Sequence, residues 1–589
     1  MNQQPQYQTQ RNMIESEFTT SDKTPLYYRH WPAQITTEPK AIILFHRGHE
    51  HSGRVSHLVD ELDLPDFSMF AWDARGHGKN QGARGYSPSM GTSIKDIDEF
   101  VHYVSSNYNI PMENILVVGQ SVGAVLITGW VHDYAPKIRG MVLASPAFKV
   151  KLYVPFARTG LALMQKARGL FYVNSYVKAK YLTHDQSRID SFSQDSLITR
   201  PIAVNILLEL YKTADRVVED ASAITLPTQL FISGNDHVVH AKPQHLFYER
   251  LNTSIKEKHV LPGFYHDTLG EKDRVIPINK MRSFIETLFA QPLYQHDYQH
   301  EDIWSHSADV YRALQTPLPK YCPKRLYYKV LSRSMSTLGK ASEGVALGYD
   351  KGFDSGSTLD YVYRNQPQGK GLFGRVVDRQ YLNSIGWQGI RQRKINIENT
   401  IRYAIRQLIQ NNMPVHIMDI AAGQGRYIFD AVNDYGKVDS ILMRDYSAIN
   451  VEQGNIAIKE RHLEDKVRFE EGNAFDAESL SAVSPSPTLG IVSGLYELFP
   501  ENHLLKESLK GLSQAIPSGG LLIYTCQPWH PQLEMIARVL PSHQNGQPWI
   551  MRCRSQGEMD ALVNEAGFEK LDQQIDHWGI FSVSIAKRR

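Results

Sequence analysis

Short unbroken apolar runs punctuate the first half of the chain, separated by segments whose apolar residues recur at helical spacing. Residues 41–45, 115–118 (Ile115-Leu116-Val117-Val118) and 141–144 form such runs, and Ser68-Met69-Phe70-Ala71-Trp72 is another. Runs this short, continuous rather than alternating, predict strands buried on both faces. Between them, Ile94, Ile97, Phe100, Val101 and Val104 fall on one face of a helix. Strands and helices in alternation predict a parallel α/β sheet.

The pattern breaks near residue 290. Three closely spaced histidines (His296, His300, His306) are followed by Pro317, Pro319 and Pro323, with few periodic apolar positions. That composition predicts a linker or strap. Residues 338–387 are rich in Gly, Tyr and Arg and predict no regular fold. Helical periodicity resumes at Ile397, Ile401, Ile405, Leu408 and Ile409. The chain thus divides into a domain at 1–290 with an insert at 149–225, a connecting stretch at 291–394, and a second α/β domain at 395–589.

Candidate chemistry sits at the ends of the predicted strands. Gly119-Gln120-Ser121-Val122-Gly123 directly follows one apolar run and precedes Ala124-Val125-Leu126-Ile127, which continues as a helix. Strand, Gly-x-Ser-x-Gly, helix is a nucleophile elbow: the tight turn lifts a serine hydroxyl off the sheet edge, and the glycines allow close backbone packing. Three further segments accompany it in order, His46-Arg47-Gly48-His49-Glu50-His51-Ser52-Gly53-Arg54, Asp73-Ala74-Arg75-Gly76-His77-Gly78 and Phe231-Ile232-Ser233-Gly234-Asn235-Asp236. Leu261-Pro262-Gly263-Phe264-Tyr265-His266 follows, and through His46–Arg54, Asp73–Gly78 and Gly119–Gly123, in that order and spacing, residues 15–290 resemble the α/β-hydrolase superfamily, most closely its monoacylglycerol lipase, lysophospholipase and serine aminopeptidase group.

The resemblance implies Ser121 as nucleophile, His266 as base, Asp236 as the acid that orients it, and the amides of Gly48 and Val122 as oxyanion donors. Relatives usually carry glycines where Arg47 and His49 stand, so Arg47 is a candidate cation for an anionic substrate head group. His46, His49 and His51 are close in sequence, but no carboxylate or cysteine accompanies them at ligand spacing, and no metal is expected. Residues 149–184 fall where this group builds its cap. They carry Lys149, Lys151, Arg158, Lys166, Arg168, Lys178 and Lys180 without an Asp or Glu, interleaved with Leu161, Leu163, Met164, Leu170 and Phe171. Such a basic amphipathic cap suits peripheral contact with anionic membrane, or is a packed cap with solvated lysines.

A second turn organises the C-terminal part. Val415-His416-Ile417-Met418-Asp419-Ile420-Ala421-Ala422-Gly423-Gln424-Gly425-Arg426-Tyr427 reads as strand, Gly-rich turn and helix, and Asp445 ends a strand twenty-six positions after Asp419. This is a nucleoside-binding crevice. A dinucleotide site wants a small residue at position 428, where this chain has Ile428. The run instead resembles the first motif of class I S-adenosylmethionine-dependent methyltransferases, a Rossmann-like fold. That resemblance implies S-adenosylmethionine as cofactor and Asp419, Ala421, Gly423, Gly425, Asp445, Asn473, Ala474 and Ser493 as its contacts. Tyr496, Glu497 and His530 lie just past strand ends, where a methyl acceptor sits, and the Tyr-rich segment before Trp387 is a candidate cover.

Composition narrows the setting. At 589 residues the chain exceeds one core. A net charge of +2 gives no global case for nucleic acid, and none is expected as a partner. Cys322, Cys526 and Cys553 form no CxxC pair, which fits a reducing cytoplasm. Residues 1–12 are polar, without the apolar core of a signal peptide, and no apolar run is long enough to span a bilayer. The expectation is a bifunctional cytoplasmic enzyme, able to touch the inner face of a membrane. One half hydrolyses acylglycerol or lysophospholipid esters, and the other methylates a small or lipid-related acceptor. A peptide-cleaving hydrolase, or a lipid-binding scaffold with one inactive module, stays open as the alternative.

Overall fold

Two sheets organise the chain, one in each of two units, Met1–His296 and Asp297–Arg589. The structure, a computed structural model, describes residues 9–35, 38–152, 156–175, 177–432, 434–544 and 546–589, and of Leu338 the backbone alone. Part of the polar start (1–8) and positions 153–155 and 176 of the insert therefore lie outside the described residues.

The first unit contains β1 (Ile14–Thr19), β2 (Pro25–Trp31), β3 (Ala41–Phe45), β4 (Ser68–Trp72), β5 (Ile115–Gln120), β6 (Gly140–Ala144), β7 (Tyr172–Asn174), β8 (Pro201–Ala203), β9 (Thr228–Ser233) and β10 (Lys256–Leu261). Eight of them form one sheet in the order β1-β2-β4-β3-β5-β6-β9-β10. From β4 to β10 every pairing is parallel, and β1 and β2 close one edge antiparallel. β3, β5, β6 and β9 are buried along their whole length because helices cover both faces, which is why they appear in sequence as unbroken apolar runs. Phe45 pairs with Gly119 and Gln120 with Ala144, so β3, β5 and β6 end level at the carboxyl edge. The α/β-hydrolase arrangement expected from sequence is the one observed.

In the insert, β7 and β8 pair as a small antiparallel ribbon. Helix Val204–Glu219 lies on helix Val122–Tyr134, whereas helix Ala157–Arg168 buries none of its residues.

The second unit contains β11 (His416–Asp419), β12 (Ser440–Asp445), β13 (Val467–Glu471), β14 (Leu489–Val492), β15 (Leu521–Cys526), β16 (Phe568–Ile575) and β17 (Ser582–Arg588), ordered β13-β12-β11-β14-β15-β17-β16. The first five are parallel, and β17 runs antiparallel between β15 and β16. The strand order reverses at β11, opening a crevice between the carboxyl ends of β11 and β14. This is the Rossmann-like layout expected.

The stretch 291–394 is not the unstructured connection its composition suggests. From residue 297 it belongs to the second unit and forms helices Glu301–Trp304, His306–Gln315, Pro323–Thr337, Glu343–Lys351, Gly356–Arg364, Gly371–Leu382 and the start of the 26-residue Ile385–Gln410. Most are short and bounded by Pro or Gly, which masks any helical period. Three start on serine caps, with Ser305, Ser342 and Ser355 accepting from the amides of Ala308, Val345 and Thr358. Their Gly- and Tyr-rich sequence contributes Phe353, Tyr361 and Trp387 to an aromatic core completed by Phe581. Buried Asp378 ties three segments together, accepting from Ser342 Oγ at 2.5 Å, the Gln368 amide at 2.8 Å and Tyr361 Oη. No helix among the described residues is long and apolar enough to cross a membrane.

Candidate active sites

Ser121 stands between β5 and helix Val122–Tyr134 with φ +55 and ψ −113, a conformation that L-residues rarely adopt. The flanking glycines make the turn possible. A Cβ at Gly123 would stand 2.5 Å from the His46 carbonyl oxygen, and one at Gly119 would stand 2.5 Å from Ile127 Cδ1. The Ser121 amide donates to the Ala144 carbonyl at 2.9 Å, fixing the turn to β6.

Residues far apart in sequence meet here. His266 Nε2 lies 2.8 Å from Ser121 Oγ, and His266 Nδ1 lies 2.8 Å from Asp236 Oδ2. Asp236 Oδ1 accepts from the amides of Val238 and Val239 at 2.7 and 2.9 Å. Burial pushes the Asp236 carboxyl up, but His266 and these amides together outweigh it and hold the group below the ordinary carboxylate value. A serine hydroxyl bonded to an imidazole that is itself bonded to a carboxylate is competent for nucleophilic attack with general-base help.

The loop after β3 differs from expectation at one residue. Gly48 lies against Val122, since a Cβ there would meet Val122 Cγ2 at 2.9 Å. Arg47, however, does not present its charge to a ligand. It is 4% exposed and bonds Glu50 through Nε at 3.0 Å and Nη2 at 2.5 Å, with Asp267 Oδ2 at 3.5 Å. Burial would push the Glu50 carboxyl up, yet Arg47 and Arg54 hold it at about 2. Arg47 is therefore a member of a buried ion cluster, which compensates its desolvation. The three nearby histidines also go separate ways. His46 Nε2 accepts from the Ala74 amide at 3.0 Å, His49 Nδ1 meets the Thr199 carbonyl at 2.7 Å, and His51 Nε2 meets Asp195 at 2.9 Å.

Above Ser121 lies a cavity of about 710 Å3, roofed by the insert and lined chiefly by apolar side chains such as Leu126, Leu161, Met164, Ile202, Leu207 and Leu210.

In the second unit, the Gly-rich turn after β11 opens on the crevice. Gly423 has φ +58, and a Cβ there would meet nothing within 4 Å. Its amide donates to Asp445 Oδ2 at 2.9 Å, while Asp445 Oδ1 accepts from the Ser447 amide and Asn450 Nδ2. Gly425 has φ +73 and lies against Met443 and Phe429. At the neighbouring strand ends, Asn473 Oδ1 closes a turn on the Phe475 amide, Ala474 is buried in the core, and Ser493 follows β14. Asp419 departs from expectation. It is fully buried beneath the turn, accepting from Tyr427 Oη and the Ala421 amide, so it shapes the turn rather than facing the crevice. Burial pushes its carboxyl up to about 7.

Beyond β14 and β15 lies a second cavity of about 610 Å3, closed on one side by the helices at 323–390. Of the predicted acceptor contacts, Glu497 and His530 line it. Tyr496 does not. Its ring is 2% exposed in the core and its hydroxyl donates to Ser508, because the single turn Tyr496–Leu498 rolls it inward. Burial pushes the His530 imidazole down to about 4, and Nδ1 accepts from the Gln532 amide at 3.0 Å. The neutral ring therefore carries its proton on Nε2, as a donor and not a base.

A family model described as "Putative methyltransferase" matches residues 281–588. The chain belongs to this family. A second family model, "Serine aminopeptidase, S33", matches residues 37–273. An Escherichia coli (strain K12) protein, "Uncharacterized protein YnbC", is 59% identical over 575 residues, 98% of either chain. Human monoglyceride lipase is 27% identical over 251 residues, 42% of this chain and 81% of its own. Among solved structures, a soluble variant of Saccharomyces cerevisiae monoglyceride lipase, in complex with a substrate analogue, is 18% identical. It covers 48% of this chain and 96% of that one, with a TM-score of 0.43. The chain thus fuses an α/β-hydrolase half to a methyltransferase half, and the methyltransferase match takes in the helices at 301–394.

Sequence reading missed one member of the methyltransferase half's cavity. Arg393, 4% exposed on helix Ile385–Gln410, places Nη1 3.6 Å from Glu497 Oε1 and its guanidinium 5.0 Å from the Phe581 ring centroid. Glu497 Oε1 also accepts from Thr525 Oγ1 at 2.9 Å. Arg393 Nε and Glu497 Oε2 remain without hydrogen-bond partners although both are buried. The only signal in sequence was an arginine breaking the apolar face of an amphipathic helix.

Proposed function

We propose that the protein has two activities, ester hydrolysis at Ser121 and S-adenosylmethionine-dependent methylation of a small or lipid-related acceptor. One observation carries the hydrolytic reading: the hydrogen-bonded series Ser121, His266, Asp236 at the floor of an apolar cavity. In this reading Ser121 Oγ attacks an ester carbonyl while His266 Nε2 takes its proton. The amides of Gly48 and Val122 hold the oxyanion, and His266 returns the proton to the departing alcohol. Water then repeats the sequence on the acyl-enzyme. The apolar lining favours an acyl chain over a peptide, so acylglycerol or lysophospholipid is the substrate class, in keeping with the name of the lipase relatives. Exposed Phe156, Leu163, Met164 and Leu170, beside Lys166 and Arg168, support peripheral contact of the cap with anionic lipid at the inner membrane face.

For the methyltransferase half, the residues fit the cofactor. Gly423 leaves open space at the crevice, half-buried Asp445 at the end of β12 would receive ribose hydroxyls in this reading, and Gly425, Asn473, Ala474 and Ser493 edge the same strand ends. S-adenosylmethionine supplies an electrophilic methyl group when bound. The chain's own part is to position and desolvate the acceptor in the neighbouring cavity, where Glu497 Oε2 is free to accept its proton and His530 Nε2 to donate to it.

A fluorophosphonate probe tests the first activity. Labelling should vanish in Ser121→Ala and persist when Asp419 is substituted; a probe that labels Ser121→Ala equally defeats the reading. Calorimetric titration with S-adenosylmethionine against NAD tests the second, with NAD alone binding as the defeating result.

A further inference from the structure

From residue 310 to 342 the chain has seven cations (Arg312, Lys320, Lys324, Arg325, Lys329, Arg333, Lys340) and no Asp or Glu. Helix Pro323–Thr337 lies in this stretch. Its inner face places Tyr328, Leu331 and Met335 against the aromatic core, and none of its residues is buried. Its outer face shows Leu326, Tyr327 and Val330 to solvent among those cations. Helix Gly371–Leu382 likewise exposes Leu372, Phe373 and Val376. These six side chains are 59–84% exposed. Lys324 pairs with Glu534, but Lys320, Lys329, Arg333, Lys340, Lys370 and Arg375 have no ion-pair partner among the described residues.

The two helices are held together, both packing on the turn Leu338–Ala341. They also border one opening. Phe373 and Val376 line the 610 Å3 cavity while standing largely in solvent, and Ser334 and Met335 line it from the other helix. An isolated exposed leucine needs no explanation, but a basic helix with exposed aliphatic side chains at the rim of an apolar cavity does.

We propose that the second unit docks on an anionic lipid surface through helices Pro323–Thr337 and Gly371–Leu382, with its cavity opening at that face. A bilayer interface uses both features of the surface, since its phosphate layer meets the lysines and arginines while its acyl boundary accepts Leu326, Val330, Leu372 and Phe373. A nucleic-acid backbone would use only the charge. The consequence for the methyltransferase half is that an amphiphilic acceptor enters from the membrane without crossing water. The docking itself is independent of S-adenosylmethionine binding, which calorimetry reads separately.

The test is flotation of the full chain with phosphatidylcholine vesicles, with and without phosphatidylglycerol. The protein should float with the anionic vesicles. Lys329→Glu/Arg333→Glu should weaken that association by at least about fivefold for each cation removed. Leu326→Gln/Leu372→Gln should weaken it as well, and a cap variant, Leu163→Gln/Met164→Gln, should leave the contribution of the second unit in place. Hydrogen exchange on the unmutated protein supplies a readout that no folding defect can confuse: amides of 323–337 and 371–382 should gain protection on adding anionic vesicles. Vesicle binding without that protection overturns the proposal. So does binding of oligonucleotides, lost in the charge variant alone, by a protein that ignores vesicles. Dispersal of a dimer by the same substitutions would equally assign the face to a second copy.

Discussion

His49 Nδ1 lies 2.7 Å from the carbonyl oxygen of Thr199, and the Thr199 amide donates back to the His49 carbonyl at 2.8 Å. This pair of hydrogen bonds joins the loop bearing Gly48 to the insert that roofs the cavity. His49 holds the contact at φ +71, where glycine would be easier, and burial pushes its imidazole down, which keeps the ring neutral. Replacing His49 separates the two effects. His49→Gly relieves the backbone and should be more stable than His49→Ala by about 1 kcal/mol. Both should slow hydrolysis of a water-soluble ester about tenfold, the scale of one lost hydrogen bond of roughly 1–2 kcal/mol. Denaturant midpoints and ester kinetics check this, and wild-type rates in both variants would refute the coupling.

Asp236→Asn should lower kcat about 10⁴-fold with little change in KM, because the amide favours the wrong tautomer of His266 without moving it. The ring bonds Asp236 through Nδ1, which must carry the proton if Nε2 is to accept from Ser121. Steady-state kinetics on a monoacylglycerol, beside fluorophosphonate labelling rates, read both parts. A loss confined to KM would assign Asp236 a binding role instead.

Arg47 should govern stability rather than head-group choice. Its charge is fully engaged with Glu50 and Asp267. Arg47→Met leaves Glu50 to Arg54 and Asp267 to Arg188 alone, so it should cost stability, by up to about 3 kcal/mol. The ratio of rates on neutral and anionic esters should stay unchanged in whatever fraction remains folded. A changed ratio without loss of stability would return Arg47 to the substrate site.

Much of this was legible because it depends on local chemistry. The elbow needs glycine at 119 and 123 for contacts of 2.5 Å, so the pentapeptide and its flanking strand and helix give the site away. Strand register then carries Asp236 and His266 to it. What sequence could not show was where a polar side chain spends its hydrogen bonds. Arg47 looked available because the ion cluster that engages it, Glu50 with its second partner Arg54 and distant Asp267, comes together only in the fold, and Asp419 looked cofactor-facing because the Tyr427 hydroxyl that covers it does too. The helices at 301–394 were hidden for another reason: with their serine caps and proline breaks, tertiary aromatic packing decides them rather than periodicity.

Asp419 predicts a pH dependence. Its carboxyl rises from 3.8 to about 7 on burial. Between those values the native state holds a proton that the unfolded state has released, so unfolding free energy falls as pH rises through that window and levels off above about 7. Stability of wild type minus Asp419→Asn, measured by urea titration from pH 4 to 8, should therefore decline with pH. The asparagine retains an acceptor for the Ala421 amide and bears no charge. A difference that is flat, or that rises, across that range would mean Asp419 stays ionised in the native state.

Arg393 and Glu497 form a buried pair 3.6 Å apart, each keeping one unused hydrogen-bonding atom at an apolar cavity. If the pair were only structural, replacing both partners by apolar residues of similar size would be harmless in every respect. If it also receives the acceptor, the two readouts divide. Arg393→Met alone should destabilise by about 3–5 kcal/mol, since it leaves Glu497 charged and unpaired, and adding Glu497→Met should recover most of that loss. S-adenosylmethionine should still bind the double variant, because Gly423 and Asp445 are untouched. Incorporation of labelled methyl groups into a lipid extract should nevertheless fall to background, as the apolar wall no longer offers a proton acceptor beside a donor. Full methyl transfer by a stable double variant would reduce the pair to scaffolding.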